Sequence, residues 1–269
     1  MKIKDFLNKR KKNTNAVKLG LALGSGGFKG FAHVGALRAF EEAGIKFDYV
    51  AGTSVGSIIG CLYCFGYNTY EMIEIAKTIN EKDLRDSKIF FMPSSSSQVE
   101  NVLKKFIGDT NIEDLKLPFR CVAVNLKTGK EIVFSEGCAA TCVSGSCAAP
   151  PFFKPVVYNG MHLIDGAYAN PLPSGVCKEM GADFVVTVDL DSERGYSTNS
   201  LNMFEVLMAS VKIAMKSTAE KGKLTSDVII TPNLAKYKAN KFEGVDEMFT
   251  LGYESAKENI EAILSLGQN

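Results

Sequence analysis

Residues 17–30 read VKLGLALGSGGFKG and residues 48–57 read DYVAGTSVGS, and these two stretches decide the fold. VKLGLALG is a short apolar run that ends in glycine, as a buried strand does when it stops at a tight turn. A helix is expected from about Phe28 to Ala43, closed by Gly44. DYVAG is a second short strand, running into GTSVGS and another helix from Val55 to about Phe65. Strand, turn and helix, twice over, is the rhythm of a parallel sheet with crossover helices.

The rest of the chain continues in kind. TYEMIEIAKTIN (69–80) and SQVENVLKKFIG (97–108) read as amphipathic helices, separated by a loop that mixes IFFMP (89–93) with serines. FRCVAVNL and EIVFSEG flank a hairpin turn at Lys127–Lys130, and VVYNGMHLIDG is a second hairpin whose Asn159-Gly160 suits a type I′ turn. A short helix (Leu172–Met180), a buried strand (FVVTVDL), a long helix (about Leu201–Lys221), a strand (DVIITP) and a closing helix (about Val245–Leu266) complete the pattern. The expectation is one α/β/α domain over residues 17–269, behind a disordered arm of residues 1–16.

Hydrophobic residues at 46% and charged residues at 23% suit a well-cored globular protein. The net charge of +1 gives no general attraction to nucleic acid, but it is unevenly spread. MKIKDFLNKRKK carries six Lys/Arg against one Asp, a local +5 that leaves −4 on the remainder. Such an arm is either a solvated terminus or a contact for an anionic membrane surface. No apolar run is long enough to span a bilayer, and the N-terminus is too polar for a secretory signal. The seven cysteines follow no disulfide framework, so a reduced, cytoplasmic setting with at most peripheral membrane contact is expected. Cys61 and Cys64 form a CxxC inside the apolar IIGCLYCFG, and Cys138, Cys142 and Cys147 lie among Ala, Val and Gly; all read as small buried hydrophobes.

The chemistry concentrates at three places. GTSVG, Gly52 to Gly56, is a G-x-S-x-G pentapeptide. At a strand-to-helix turn its small residues let the chain close sharply, and Ser54 is presented at a helix N-terminus whose dipole favours a developing alkoxide. In a chain with 24 glycines the pattern alone is weak, and Ser54 as a plain N-cap is the rival; its position between strand and helix is the stronger signal.

The second place is Gly24–Gly30, whose backbone N–H groups can cradle an anion. A nucleotide pyrophosphate would need an acidic residue at the end of the second strand, where GTSVG stands instead; Asp48 precedes that strand. An oxyanion hole formed by the N–H groups of Gly27 and Phe28 suits both loops. The third place is DGAYANPLP, where Asp165 is either a carboxylate presented at a strand end or part of an ordinary Asp-Gly turn. A serine nucleophile needs a base, yet the chain has only His33 and His162, and no histidine follows Asp165. His33, among Phe31, Val34 and Leu37, reads as a helix-packing residue, and His162 as a strand residue near Asp165.

SGGFKG, GTSVG and DGA, in this order, together with GSCAAPPFFKPV (Gly145–Val156), resemble the patatin-like phospholipases, especially compact bacterial members. The resemblance covers about Val17 to Leu190 and is weaker over the C-terminal third, where only the helix–strand–helix pattern matches. It implies a three-layer α/β/α sandwich with a central, mostly parallel sheet. It further implies hydrolysis of acyl lipid esters by a Ser–Asp dyad, through an acyl-enzyme and without a metal or other cofactor.

Carried over by position, Ser54 is the nucleophile and Asp165 the base. Gly26, Gly27, Phe28, Lys29 and Gly30 form the oxyanion loop, while Gly52, Gly56, Gly166 and Ala167 shape the two turns. Ser25 departs from the family, which often has glycine there, and a narrower loop is the expected consequence. An acyltransferase or thioesterase using the same acyl-enzyme, and a non-catalytic lipid-binding protein, are the other readings. The expected partner is an acyl lipid; oligomeric state is not legible.

Overall fold

The computed structural model describes residues 17–78, 94–95, 97–191, 202–239 and 243–266; the basic arm and the IFFMP loop lie outside them. Its strands form one eight-stranded sheet: β1 (Leu19–Leu23), β2 (Tyr49–Thr53), β3 (Phe119–Asn125), β4 (Lys130–Phe134), β5 (Val156–Tyr158), β6 (Met161–Asp165), β7 (Phe184–Val188) and β8 (Val228–Ile230). The spatial order is β5-β6-β3-β2-β1-β7-β8, with β4 also on β3. Strands β3, β2, β1, β7 and β8 run parallel, while β4, β5 and β6 enter through antiparallel pairs.

The two faces of this sheet differ in thickness, and β1 shows why. In LGLAL, Leu19, Leu21 and Leu23 point into the larger core, while Gly20 and Ala22 face the smaller one. The leucines meet α1 (Phe31–Glu42), α2 (Val55–Phe65) and the elements around them. The small residues let α6 (Ser174–Glu179) lie close, since a Cβ on Gly20 would come within 2.8 Å of Cys177 Cβ. The remaining helices are α3 (Thr69–Thr78), α4 (Ser97–Ile107), α5 (Ala139–Ser146), α7 (Met203–Leu224), α8 (Val245–Glu258) and α9 (Ile260–Ser265). Helix α8 packs along α1 so tightly that a Cβ on Gly252 would meet the Ala32 carbonyl at 2.0 Å.

Strand β3 acts as the ruler for the site. Its residues Cys121–Asn125 pair with β4 along one edge. The other edge is shared: Phe119–Val122 pair with β2, and Ala123–Asn125 pair with β6. Thr53 is therefore opposite Val122 and Asp165 opposite the next residue, Ala123. Strands β2 and β6 thus run head-on toward each other along one edge of β3, and their ends meet.

Several boundaries depart from the sequence reading. The helix expected from Phe28 begins as a 3-10 turn over Gly27–Gly30, and the α-helix starts at Phe31. The closing helix is broken at Asn259 into α8 and α9. Helix α5 was not anticipated, because AATCVSGS has buried small residues all round and no polar face to set a period. The Asn159-Gly160 turn holds as expected, with φ of 48° and 74°.

Candidate active site

Ser54 stands between β2 and α2 with φ 55° and ψ −126°, a conformation that disfavours any side chain. Strain of this kind is worth about 1–3 kcal/mol and persists only when neighbours over-determine it. Here they do. The Ser54 N–H donates to Ser146 Oγ (3.0 Å), and the Ser54 carbonyl accepts from Ser57 N (2.8 Å) and Ser57 Oγ (2.6 Å). The flanking glycines are sterically required: a Cβ on Gly56 would meet the Leu23 carbonyl at 2.1 Å, and one on Gly52 would lie 2.5 Å from Ser57 Cα. Ser146, on the unanticipated α5, was invisible in the sequence because a serine among Ala, Cys and Gly carries no positional signal.

Ser54 Oγ donates to Asp165 Oδ2 at 2.6 Å, across 111 residues of sequence. The other carboxylate oxygen, Oδ1, accepts the Ala167 N–H at 2.8 Å. Gly166 makes that turn possible, since a Cβ there would come within 2.2 Å of the Val122 carbonyl. Asp165 is buried, and desolvation raises its pKa to about 6 against the lowering effect of the Ser54 and Ala167 hydrogen bonds. The Asp-Gly turn and the presented carboxylate are the same structure.

The glycine-rich loop lies against this elbow. Gly30 abuts Val55, whose Cγ2 would be 2.2 Å from a Cβ at that position. Most of the loop's donors are engaged: Gly24 N–H on Val188 O (3.0 Å), Ser25 N–H on Pro171 O (3.0 Å) and Phe28 N–H on Ala239 O (2.9 Å). The expected use of the Phe28 N–H for an oxyanion is thereby corrected: the Ala239 carbonyl, from the segment between β8 and α8, already occupies it. The N–H groups of Gly26 and Gly27, and that of Val55 at the start of α2, meet no acceptor among the described residues. Lys29 is also corrected. Its side chain is buried, with the ammonium on the Leu190 carbonyl (2.7 Å) and the Asp191 carboxylate, so it braces the loop against the end of β7.

Neither histidine reaches Ser54. His33 is fully buried on α1, with Nε2 donating to the Gly24 carbonyl at 2.8 Å and Nδ1 without a partner among the described residues. Burial lowers its pKa to about 4, so the ring is neutral at physiological pH. It packs, as expected, but it also clasps the loop. His162 precedes Asp165 by three residues on β6 and so faces the other side of the sheet. The cysteines of the CxxC are buried free thiols in α2, and burial pushes the Cys61 thiol up to about 12. Cys147 Sγ lies 3.8 Å from Ser57 Oγ, and its thiol is pushed up by burial and by the neighbouring Asp165 charge.

Known proteins are similar to this chain in sequence and in fold. The family description "Patatin-like phospholipase" matches residues 21–177, more than half of the chain, from within the first strand to beyond Asp165. Lysophospholipase NTE1 of Meyerozyma guilliermondii is 28% identical over 298 residues, covering 98% of this chain and 20% of that protein. Lysophospholipase NTE1 of Saccharomyces cerevisiae is 27% identical, covering 91% of this chain and 17% of its own length. The chain thus spans about a fifth of the length of these relatives. VipD from Legionella pneumophila superposes with a TM-score of 0.62 at 14% identity, over 91% of this chain and 67% of that one. Human GIVD cytosolic phospholipase A2 does so with 0.53 at 12% identity, over 98% and 62%. These similarities are to the fold. The matched segment, with its elbow serine and strand-end aspartate, makes this chain a member of the patatin-like phospholipase family.

Proposed function

We propose that this chain hydrolyses acyl ester bonds of phospholipids or lysophospholipids, with Ser54 as nucleophile and Asp165 as its only base. The observation that carries this reading is the 2.6 Å hydrogen bond from Ser54 Oγ to a buried carboxylate, in a chain whose histidines are engaged elsewhere or face away. Ser54 Oγ attacks the ester carbonyl as its proton passes to Asp165. The negative charge that develops on the carbonyl oxygen is met by the N–H groups of Gly26, Gly27 and Val55. Collapse expels the alcohol, which takes the proton back from Asp165 and leaves an acyl-serine. Asp165 then draws a proton from water, the water attacks the acyl-serine, and the fatty acid leaves as Ser54 recovers its proton.

A carboxylate alone can serve here because desolvation makes Asp165 a stronger base than a solvated aspartate, while two hydrogen bonds keep it ionised near neutrality. The names of the relatives support lysophospholipids as first substrates to try. A panel of phospholipid, lysophospholipid and short-chain esters tests the reading, run on wild type and Ser54→Ala. The expected result is hydrolysis and fluorophosphonate labelling by wild type only. Labelling at another serine, with Ser54 untouched, would overturn it.

A further inference from the structure

Helix α7, Met203–Leu224, is apolar on two sides: Met208, Val211 and Met215 are half-buried on its inner face, and a second apolar stripe lies outside. Apolar residues at three- and four-residue spacing line one face, and that face is turned to solvent. Met203 is 80% exposed, Leu207 58% and Ile213 55%, with Val206 and Ala214 exposed between them. The helix is tied down chiefly at its C-terminal end. Ser174 Oγ donates to the Gly222 carbonyl (2.5 Å) and meets Thr225 Oγ1 (2.6 Å), and Gly222 is small enough to lie on Leu172. Its other neighbours are α6 and the turn Gly166–Tyr168, which directly follows Asp165. The helix that bears this exposed apolar stripe therefore packs against the turn that follows Asp165.

We propose that this face of α7 is the surface by which the protein lies on an anionic lipid membrane, holding the mouth of the site at the bilayer. The charge pattern selects that occupant. Lysines 212, 216, 221 and 223 stand against Glu205 and Glu220, and Glu220 is already paired with Lys223 at 2.9 Å. Lys216 flanks Ile213 one turn on, and Lys221 continues the stripe seven residues after Ala214; both are exposed. Apolar side chains with lysines at their margin suit acyl chains below and anionic headgroups above. The helix is not long and apolar enough to cross a bilayer, which leaves the interface plane. The inference rests on the lipid hydrolase reading for its purpose, but not for its measurement.

The test is flotation of the full chain with vesicles of phosphatidylcholine, alone or mixed with phosphatidylglycerol, beside assays of a soluble short-chain ester and of vesicle-borne phospholipid. Leu207→Glu with Ile213→Glu is expected to cut the bound fraction about tenfold or more, with vesicle hydrolysis falling in parallel. Short-chain ester hydrolysis and the melting temperature should stay at wild-type values. Lys216→Glu and Lys221→Glu should each weaken binding roughly fivefold on phosphatidylglycerol vesicles, and little on phosphatidylcholine alone. Val157→Glu, at an exposed apolar residue on β5, is the control and should float like wild type.

Flotation unchanged by the Leu207/Ile213 pair would overturn the proposal, as would a wild-type chain that fails to float. A wild type that self-associates, with the pair monomeric and flotation unchanged, would assign the face to a second copy instead. Loss of ester hydrolysis in every protein, with flotation behaving as described, would count against the enzymatic reading and leave the membrane surface standing.

Discussion

The turn after β1 and the turn after β2 are built alike, each a strand end, a tight glycine-bearing bend and a helix start, yet they carry opposite burdens. The elbow places its positive φ on a residue that is not glycine, Ser54, and holds it with hydrogen bonds to Ser146, Ser57 and Asp165. The glycine-rich loop puts its positive φ on Gly27 and ties down its flanking N–H groups, while those of Gly26 and Gly27 meet no acceptor among the described residues. One turn is organised around a side chain, the other around backbone donors. Substitutions at the elbow should therefore act on proton transfer, and substitutions at the loop on oxyanion stabilisation.

The largest effect is expected from Asp165→Asn. The amide can keep both the Ala167 and the Ser54 contacts but cannot accept the serine proton, so kcat should fall at least 10²–10⁴-fold. Stability should move the other way. A carboxyl whose pKa is raised on folding, here from 3.8 to about 6, binds protons more tightly in the folded state. Ionising it destabilises the fold progressively as pH rises from about 4 to 6, by about 3 kcal/mol once fully ionised. Asp165→Asn should thus unfold at higher denaturant than wild type at pH 7, and the gap should close at pH 4. The wild-type kcat/KM should rise with pH through about 6 as Asp165 ionises. An Asp165→Asn protein with nearly full activity would break the contrast between the two turns.

Gly27→Ala comes next. Loss of one oxyanion donor lowers rates roughly 10²–10³-fold, and kcat should fall far more than KM rises. The new Cβ would also meet the Ala239 carbonyl at 2.2 Å in a positive-φ residue, so the melting temperature should drop as well. Gly26→Ala separates the two effects, because its Cβ meets only the Leu190 side chain, at 2.8 Å, and its φ is extended. Unchanged kcat in both folded variants would show that the loop serves another purpose.

Ser146→Ala sharpens the elbow side. It strands the Ser54 N–H, a loss of about 1–3 kcal/mol by denaturation, and should lower kcat by roughly tenfold as the strained serine relaxes. The smallest effect is expected from His33→Gln with His162→Gln. Glutamine can still donate to the Gly24 carbonyl, so activity should stay within roughly tenfold of wild type. A folded but inactive double variant would point to a histidine-dependent mechanism.

The legible part of this fold was its βα units. VKLGLALG and DYVAG declare strands through local hydrophobicity, and the glycines after them declare turns, so the positions of the loop and of Ser54 followed without knowledge of the rest. Asp165 was legible as a strand-end carboxylate, and the hairpin before it through Asn159-Gly160. Helix α5 was not, since periodicity vanishes when every face is buried, and Ser146 was lost with it. The Phe28 N–H and the Lys29 ammonium were assigned to the wrong surroundings because their partners, Ala239, Leu190 and Asp191, lie far along the chain. The exposure of α7 was equally hidden, because an apolar stripe looks the same whether it meets a core or a solvent.

By itself, then, the sequence determined which residues could do chemistry and the kind of backbone each sat on, since turn chemistry and strand hydrophobicity act over a few neighbours. The tertiary structure decided which of them meet. Register along a single edge of β3 sets Asp165 one residue beyond Thr53, and burial at that junction raises the Asp165 pKa to about 6. Strand pairing here joins residues tens of positions apart and brings Ser54 to Asp165 across 111, and no local pattern records either.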